Sequence, residues 1–169
     1  LVGMGAKCVV LASRSGKIKH DGQGLVERIG GLQTLGATIV LECCDAGDER
    51  DVREMLMRVR REHGPLRGVV HAAGVICDAL ISNQTGDLTE QVFAPKVDGA
   101  WYLHNHTLGD PLEVFLVYSS VTALFGNVGP ANYCASNAAM DELVRFRVGQ
   151  RLCGLSIQWP AIAGIGMAE

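Results

Sequence analysis

Four polar side chains between residues 119 and 137 have types and spacing that suit acid–base chemistry. Ser119 and Ser120 follow directly on a short apolar and aromatic run, which is typical of a buried strand. Tyr133 lies early in the next predicted helix, and Asn137 is four residues further on, so both share one helical face. A strand-end hydroxyl that faces a tyrosine on the following helix can exchange protons with a bound substrate. On this spacing alone, a half-buried tyrosine without a chemical role is an equally good interpretation.

The rest of the chain indicates which fold would carry these residues. Short apolar runs alternate with longer stretches of helical periodicity, which predicts βαβ units and a parallel sheet with helices on both faces, the doubly wound α/β class. The carboxyl ends of the strands then share one edge, where such folds bind ligands. The predicted strands are 8–12, 38–42, 66–71, 114–118 and 155–159, and the predicted helices are 21–35, 48–63, 85–106 and 130–152.

Composition places the chain among ordinary globular domains. Its 169 residues are 48% hydrophobic and 20% charged, which is enough for one core and too apolar for disorder. The net charge of −3 gives no reason to expect nucleic acid or a membrane surface as a partner, and no apolar run reaches the roughly 20 residues of a membrane-spanning helix. The six cysteines form no C-x-x-C pair, and the five histidines lack metal-ligand spacing. We therefore expect a cytoplasmic protein with reduced thiols and no metal site.

Residues at the strand ends could serve a nucleotide ligand. Arg14 and Ser15 follow the first strand, where an arginine suits the 2′-phosphate of NADPH because its guanidinium binds phosphate oxygens in bidentate fashion. Asp45 follows the second strand and could accept a hydrogen bond from an adenine amino group, although alone it is a weak signal. Lys96 lies in the long predicted helix. For Arg14 and Lys96, a solvated surface cation is the alternative interpretation.

A glycine-rich phosphate loop is missing from its expected place. Such a loop follows the first strand of a dinucleotide-binding fold, so that backbone N–H groups and a helix N-terminus can hold the pyrophosphate. Gly3 and Gly5 precede a strand, and Gly22 and Gly24 have no third glycine at the right spacing. Residues 1–7 look like the end of a helix. We therefore expect the chain to begin inside a domain.

Taken together, these stretches resemble the short-chain dehydrogenase/reductase superfamily, and more closely the ketoreductase domain of modular polyketide synthases and animal-type fatty acid synthases. Most members of the superfamily carry Tyr-x-x-x-Lys, whereas Asn137 stands four residues after Tyr133 here. The synthase ketoreductases exchange the two positions. Lys96, 37 residues before the tyrosine, matches that pattern, as does Ser120, 13 residues before it. The matching motifs are residues 11–16, 44–46, 68–74, 95–101, 118–121, 131–137 and 166–168.

The resemblance implies an NADPH-dependent reduction of a β-ketoacyl thioester carried by an acyl carrier protein, with other domains of the same synthase as partners. Tyr133 would donate a proton to the forming alkoxide, and Lys96 would lower the pKa of the tyrosine. Ser120 would hold the carbonyl oxygen, and Asn137 would keep Lys96 or a relay water in place. The implied cofactor contacts are Ser13, Arg14, Ser15, Asp45, Ala46, Ala73, Gly74 and Pro160.

By the same resemblance, three further residues bear on the stereochemistry of the product. Asp78 is the second aspartate of a Leu-Asp-Asp motif that has the sequence Ile-Cys-Asp here. Phe125 stands where the opposite stereochemical class carries a tryptophan. Asn132 also fits the aspartate-bearing class, although Val128 replaces a usual proline, and Pro160 replaces a usual glycine near the nicotinamide. These residues favour the D-hydroxy (3R) product.

The resemblance also sets the expected domain organisation. The family has a strand, a Thr-Gly-Gly-type loop and a helix before the position of residue 1, so residues 1–169 are predicted to form a partial NADP-binding ketoreductase domain. Its sheet would lack the first strand and leave two interior strand edges facing a gap, and the fragment alone would be inactive. Two alternatives stay open. One is a stand-alone dehydrogenase or epimerase of the superfamily, which the exchanged lysine and asparagine disfavour, and the other is a reduction-silent structural domain of a synthase.

Overall fold

The chain folds as an α/β structure with parallel strands, as the alternation of strands and helices predicts. The computed structural model describes residues 1–18 and 24–161. The first residues of the predicted helix 21–35, Gly22 among them, and the motif 166–168 lie outside that part of the chain. The strands are β1 (Cys8–Ser13), β2 (Thr38–Cys43), β3 (Gly68–His71), β4 (Val114–Ser120) and β5 (Leu155–Trp159), and the α-helices are α1 (Leu25–Thr34), α2 (Glu49–His63), α3 (Gly86–Phe93), α4 (Gly99–His106), α5 (Thr122–Phe125) and α6 (Ala131–Gly149).

The strands form two separate sheets in the described part of the chain. β1 pairs with β2 along the full length of both strands. β4 is the middle strand of the second sheet, between β3 and β5. Among residues 1–18 and 24–161, no strand pairs with the other edge of β1 or of β3. The predicted incomplete sheet with two unpaired strand edges is therefore confirmed.

The third strand is shorter than predicted, Gly68–His71 rather than 66–71. The N–H of Leu66 donates to the carboxylate of Asp110 at 3.3 Å, and the carbonyl of Arg67 accepts from the N–H of Glu113 at 2.8 Å. Both residues are thus held by the loop that precedes β4. In the sequence, Leu66 and Arg67 look like part of the strand because they directly precede its apolar run. Their backbone groups, however, form hydrogen bonds with the loop instead of a neighbouring strand.

Helix α2 begins and packs as its sequence predicts. The carboxylate of Asp48 accepts a hydrogen bond from the N–H of Asp51 at 2.9 Å, which caps the first turn. One apolar stripe of the helix is buried, and acidic residues occupy its first turn while basic residues occupy its last, in agreement with the helix dipole. The buried stripe consists of Val52, Met55, Leu56 and Val59.

The segment predicted as one helix, 85–106, contains a π turn. This turn spans Ala94–Asp98, between α3 and α4. Pro95 explains it, because a proline has no N–H for the carbonyl four residues before it and its ring crowds that carbonyl. The turn includes Lys96, which is only 2% exposed.

Two hydrophobic cores hold the elements together. One lies between the three-stranded sheet and helices α4 and α6, around Phe115 and Met140. The other lies under α2 and includes Val10 of β1 among its partly buried neighbours. Leu66 and Leu103 pack against both cores. Helix α2 therefore joins the two-stranded sheet to the rest of the molecule.

Candidate active site

Lys96 and Tyr133 meet where the π turn packs against α6. The Lys96 ammonium lies 5.0 Å from the centre of the Tyr133 ring, within the range of a cation–π contact, and 3.5 Å from the Tyr118 carbonyl oxygen. Burial lowers the pKa of Lys96 to about 8, and the negative charge of Asp141 opposes that shift. A lysine far from the tyrosine in sequence thus stands beside it in space.

Asn137 lies one helical turn after Tyr133 and is completely buried. Its Nδ2 donates to the Tyr133 carbonyl oxygen at 2.9 Å, whereas its Oδ1 has no hydrogen-bond partner among the described residues. The Ser119 hydroxyl donates to the Asn137 carbonyl oxygen at 3.4 Å and ties the end of β4 to α6. A buried acceptor without a partner costs about 1–3 kcal/mol. Oδ1 is therefore suited to a water or a cationic donor.

Ser120 is 8% exposed at the end of β4. Its Oγ accepts from the N–H of Thr122 at 3.2 Å and from the Thr122 hydroxyl at 3.0 Å. Since both lone pairs are engaged, the hydroxyl proton of Ser120 is available to a carbonyl oxygen. Within residues 1–18 and 24–161, no hydrogen bond joins the hydroxyls of Ser120 and Tyr133, so each keeps its capacity for a substrate.

Asp141 is a residue of this region that the sequence analysis missed. It is 8% exposed, and its carboxylate accepts from the side-chain nitrogen of Gln158 at 2.8 Å and from the hydroxyl of Ser156. These bonds join α6 to β5, and the charge of Asp141 acts on Lys96. Helical spacing could have found it, because residues 133, 137 and 141 recur every four positions on one face.

His71 is a second missed residue. Its Nε2 lies 2.9 Å from the Lys96 carbonyl oxygen, and burial is the main reason that its pKa falls to about 4. In β3, Val69 and His71 are buried while Gly68 and Val70 are exposed. This two-residue alternation places a polar ring on the buried face of the strand, which is the sequence signal that could have identified it.

The turn after β1 holds the residues predicted to contact a 2′-phosphate. The Ser13 carbonyl accepts from the N–H of Gly16 at 3.0 Å, which closes a tight turn through Arg14 and Ser15. Gly16 has a φ of 59°, and a Cβ there would lie 3.2 Å from the Cβ of Cys43. The turn therefore packs closely on the end of β2, and it leaves the Arg14 side chain exposed.

The loops after β2 and β3 carry most of the other predicted cofactor residues. Asp45 Oδ1 accepts from the N–H of Gly47 at 2.9 Å, which folds the first loop back on itself. Gly74 lies against the lysine side chain, since a Cβ on it would be 3.3 Å from Lys96 Cγ. A larger residue at 74 would push into the lysine. Ala46 and Ala73 are half-buried, and Pro160 is exposed directly after β5.

Of the three residues predicted to bear on stereochemistry, one has a defined structural role. Asn132 is buried, its Nδ2 donates to two main-chain carbonyls at 3.1 Å, one of them that of Cys77, and its Oδ1 accepts from the N–H of Tyr133 at 2.8 Å. Asn132 thereby fixes the start of α6 against the loop after β3. Asp78 is exposed, and Phe125 is 83% exposed.

The charges of the site indicate what it can do chemically. The Tyr133 hydroxyl is a possible proton donor, and the Ser120 hydroxyl can hold an oxygen atom through a hydrogen bond. Lys96 supplies the cation, and Asn137 supplies an acceptor beneath the tyrosine. The arrangement suits proton donation to a developing oxyanion.

Metal sites and membrane-spanning helices are both absent from the part of the chain that the structure describes. The described residues contain no group of three or more histidine, cysteine, aspartate or glutamate side chains placed to bind a metal ion. In the same part of the chain, no helix combines the length and the apolar character needed to cross a bilayer.

Comparison with known proteins gives a consistent set of relatives. A family model described as a KR domain matches residues 1–164. The phenolphthiocerol synthesis polyketide synthase type I Pks15/1 of Mycobacterium marinum is 40% identical over 155 residues, a stretch that covers 92% of this chain and 7% of that protein.

Two solved structures agree in fold. A-type ketoreductases from a modular polyketide synthase superpose with a TM-score of 0.87 at 31% identity, covering 99% of this chain and 35% of that chain. The ketoreductase from the first module of phoslactomycin biosynthesis in Streptomyces sp. HK803 superposes with a TM-score of 0.86 at 34% identity, covering 96% of this chain and 37% of that chain. The chain thus spans about a third of these solved structures and a small part of the mycobacterial synthase.

Proposed function

Because the chain belongs to the KR, or ketoreductase, domain family, we propose that it forms part of an NADPH-dependent reductase. The substrate is a carrier-bound β-ketoacyl thioester, which is reduced to the β-hydroxyacyl thioester within a polyketide or fatty acid synthase. The observation that carries this proposal is the position of the Lys96 ammonium, 5.0 Å from the Tyr133 ring, with Asn137 in the place where most short-chain dehydrogenases have their lysine.

The residues of the chain account for the proton transfer of the reaction, as distinct from the hydride transfer. The Ser120 hydroxyl donates a hydrogen bond to the substrate carbonyl oxygen and keeps its proton, which holds the carbonyl in place. Tyr133 gives its proton to that oxygen as the carbonyl carbon is reduced, so the ketone becomes an alcohol. Lys96 makes this transfer easier because its positive charge stabilises the phenolate left behind. Asn137 offers Oδ1 to the lysine or to a water that returns the proton.

The turn and loops at the strand ends fit the adenosine part of the cofactor. NADPH, when bound, supplies the hydride. The exposed Arg14 guanidinium and the Ser15 hydroxyl match the donors that a 2′-phosphate requires. A Cβ at position 74 would fill the space beside Lys96. Because Gly74 has no Cβ, a cofactor can approach the backbone closely at this position. The remaining proposed contacts are Ser13, Asp45, Ala46, Ala73 and Pro160.

The relatives indicate the setting of the reaction. They are polyketide synthases or ketoreductases of polyketide synthases. We propose accordingly that residues 1–169 form part of an NADP-binding domain, that the substrate arrives on an acyl carrier protein, and that other domains of the same synthase act before and after this step. Asp78, Phe125 and Asn132 favour the D-hydroxy product, which chiral analysis of the product would test.

The decisive experiment is Tyr133→Phe in the full-length protein. We expect the variant to lose NADPH-dependent reduction of a β-ketoacyl thioester, by about 10²-fold or more, because the proton donor is gone. Its affinity for NADPH should stay close to that of the wild type, as measured by fluorescence titration. Tyr102→Phe is the matched control, because Tyr102 is a half-buried tyrosine that packs against the core under α2.

The outcomes separate the alternatives. Near-normal turnover in Tyr133→Phe would contradict the roles assigned to the site. If the wild-type protein binds NADPH but oxidises none with the thioester, the domain is a structural, reduction-silent part of a synthase. If it reduces only free ketones or keto sugars, or oxidises free alcohols with NADP⁺, it is a dehydrogenase of the wider superfamily.

A further inference from the structure

His71 is a buried histidine whose hydrogen-bond partner is the main chain of Lys96. It is 3% exposed at the end of β3, and its Nε2 lies 2.9 Å from the Lys96 carbonyl oxygen. A carbonyl oxygen only accepts, so Nε2 must carry the proton and donate it. Burial and the positive charge of Lys96 lower the pKa of His71 to about 4, so the ring is neutral at physiological pH and keeps this single donor.

The carbonyl that His71 contacts lies in the π turn. In a regular helix each carbonyl has a fixed partner four residues on, but here the N–H of Gly99 is shared between the carbonyls of Ala94 and Lys96. The turn therefore cannot set its own geometry as firmly as an α-helical turn does. A donor from outside the helix supplies the missing constraint.

Close packing holds the same turn from two other sides. A Cβ on Gly99 would lie 2.6 Å from the carbonyl oxygen of Ala46 and 3.3 Å from Cε1 of His71. A Cβ on Gly74 would lie 3.3 Å from Cγ of Lys96. The main chain of the turn thus rests on the His71 ring and on the loop after β2, and the lysine side chain runs past the loop after β3.

We propose that His71 is a positioning residue, which holds the main chain of Lys96 through Nε2–H and thereby places the lysine ammonium beside Tyr133. Its catalytic consequence rests on the proposed function, but the placement of the ammonium does not. No other side chain of the described residues donates a hydrogen bond to the Lys96 carbonyl. Loss of the imidazole would release the turn, and the ammonium would move toward water.

The first test follows the ammonium without cofactor or substrate. Trace acetylation of the full-length protein between about pH 7 and 11, followed by mass spectrometry of the peptides, yields the titration midpoint of each lysine amine. Lys96 should titrate near 8 in the wild type. The groups that face it are Tyr133 and Asp141 of α6 and His71 of β3.

The variants differ in whether they keep a donor that reaches the carbonyl. In His71→Leu we expect the Lys96 midpoint to rise by at least about one pH unit toward the ordinary value of 10.5, because the amine is again solvated. In His71→Gln, whose amide nitrogen reaches about as far as Nε2, it should stay within about half a unit of the wild type. His104→Leu is the matched control, since His104 is a buried imidazole of α4 that contacts Arg147.

The second test measures turnover. His71→Leu should lower kcat about 10²-fold, as expected for a misplaced catalytic group, with KM for the thioester changed less than about threefold. His71→Gln and His104→Leu should keep kcat within about threefold of the wild type. If His71→Leu does not fold, His71→Asn replaces it, because its amide is too short to reach the carbonyl and should give the same shift.

A Lys96 midpoint that is unchanged in His71→Leu or His71→Asn overturns the inference, whatever the activity does. So does an equal shift in His104→Leu, which would mark a general loosening of the fold. If the midpoint shifts as expected but the wild type reduces no thioester, the proposed function fails and the placement by His71 stands.

Discussion

The positively charged ammonium of Lys96 is buried, so water does not solvate it. The residue is 2% exposed, and desolvation lowers its pKa from 10.5 to about 8. At about 1.4 kcal/mol per pKa unit, keeping the ammonium buried costs the folded protein roughly 3 kcal/mol. A destabilising charge at this position is typical of residues kept for chemistry rather than for stability.

We therefore predict that Lys96→Met stabilises the full-length protein while it abolishes reduction. At pH 7 both folded and unfolded wild-type chains carry the lysine proton, so the variant should be more stable by up to about 3 kcal/mol. Above pH 8 the folded wild type releases the proton before the unfolded chain does, so wild-type stability rises between pH 8 and 10.5 and the advantage of the variant shrinks. Urea unfolding without cofactor, at several pH values, measures both effects.

The control for this prediction is Lys7→Met, because Lys7 is exposed. Its free energy of unfolding at pH 7 should differ little from the wild type, because the side chain is exposed. A Lys96→Met variant that is less stable than the wild type at pH 7 would show that contacts of the ammonium outweigh its desolvation.

Residue types and spacing were enough to select Lys96, Tyr133 and Asn137, because helical periodicity relates residues within one helix and the resemblance supplied the distance between helices. His71 and Asp141 were missed for a different reason. Each acts on Lys96 across elements, from β3 and from α6. Helical spacing places Asp141 on the face of Tyr133 and strand alternation places His71 on the buried face of β3, but only the packing of the elements brings both residues to Lys96.

At the scale of the elements, Gly99, the residue directly after the π turn, packs closely against the loop after β2. We predict that Gly99→Ala destabilises the full-length protein by about 1–3 kcal/mol, because the new Cβ would lie 2.6 Å from the Ala46 carbonyl oxygen and the backbone must shift. Alanine otherwise favours a helix over glycine by up to about 1 kcal/mol. Denaturant unfolding measures the difference.

Gly86→Ala is the matched control for that substitution. Gly86 is also a helical glycine, at the start of α3, and a Cβ there would meet nothing within 4 Å. We expect no loss of stability in this variant. Equal stability of the two alanine variants would contradict the prediction, because it would mean that the backbone at Gly99 shifts at no cost in free energy.

Most elements followed from the sequence because apolar runs and helical stripes are local signals. The cap at Asp48 and the start of α6 after Pro130 are examples. The π turn within 85–106 was missed, although Pro95 is its visible cause, since a proline inside a helical pattern can equally end or kink the helix. The later start of the third strand, at Gly68 instead of Leu66, was missed because the N–H of Leu66 donates to the side chain of Asp110 in a distant loop.

At the scale of the whole molecule, the free edges of β1 and β3 are the main feature. In a parallel strand alternate amides bond to alternate neighbours, so each edge leaves every second N–H unpaired in the described part of the chain. If a further strand pairs with these edges in the full-length protein, these amides become protected. We predict that amide hydrogen exchange in β1 and β3 is then within about tenfold of that in β4.

Exchange in β4 is the internal reference, because this strand has a neighbour on both sides. Alternate amides of β1 and β3 that exchange more than about a hundredfold faster than those of β4 would show that the two sheets stay separate.

Leu66 and Leu103 pack against both cores. These two residues should therefore affect whether the cores unfold together or separately. Two sheets without a shared strand could melt as independent units, each with its own transition. Because the same two side chains fill both cores, opening either one leaves apolar surface exposed in the other. Unfolding of the two cores is thereby coupled, and both should unfold in one calorimetric transition.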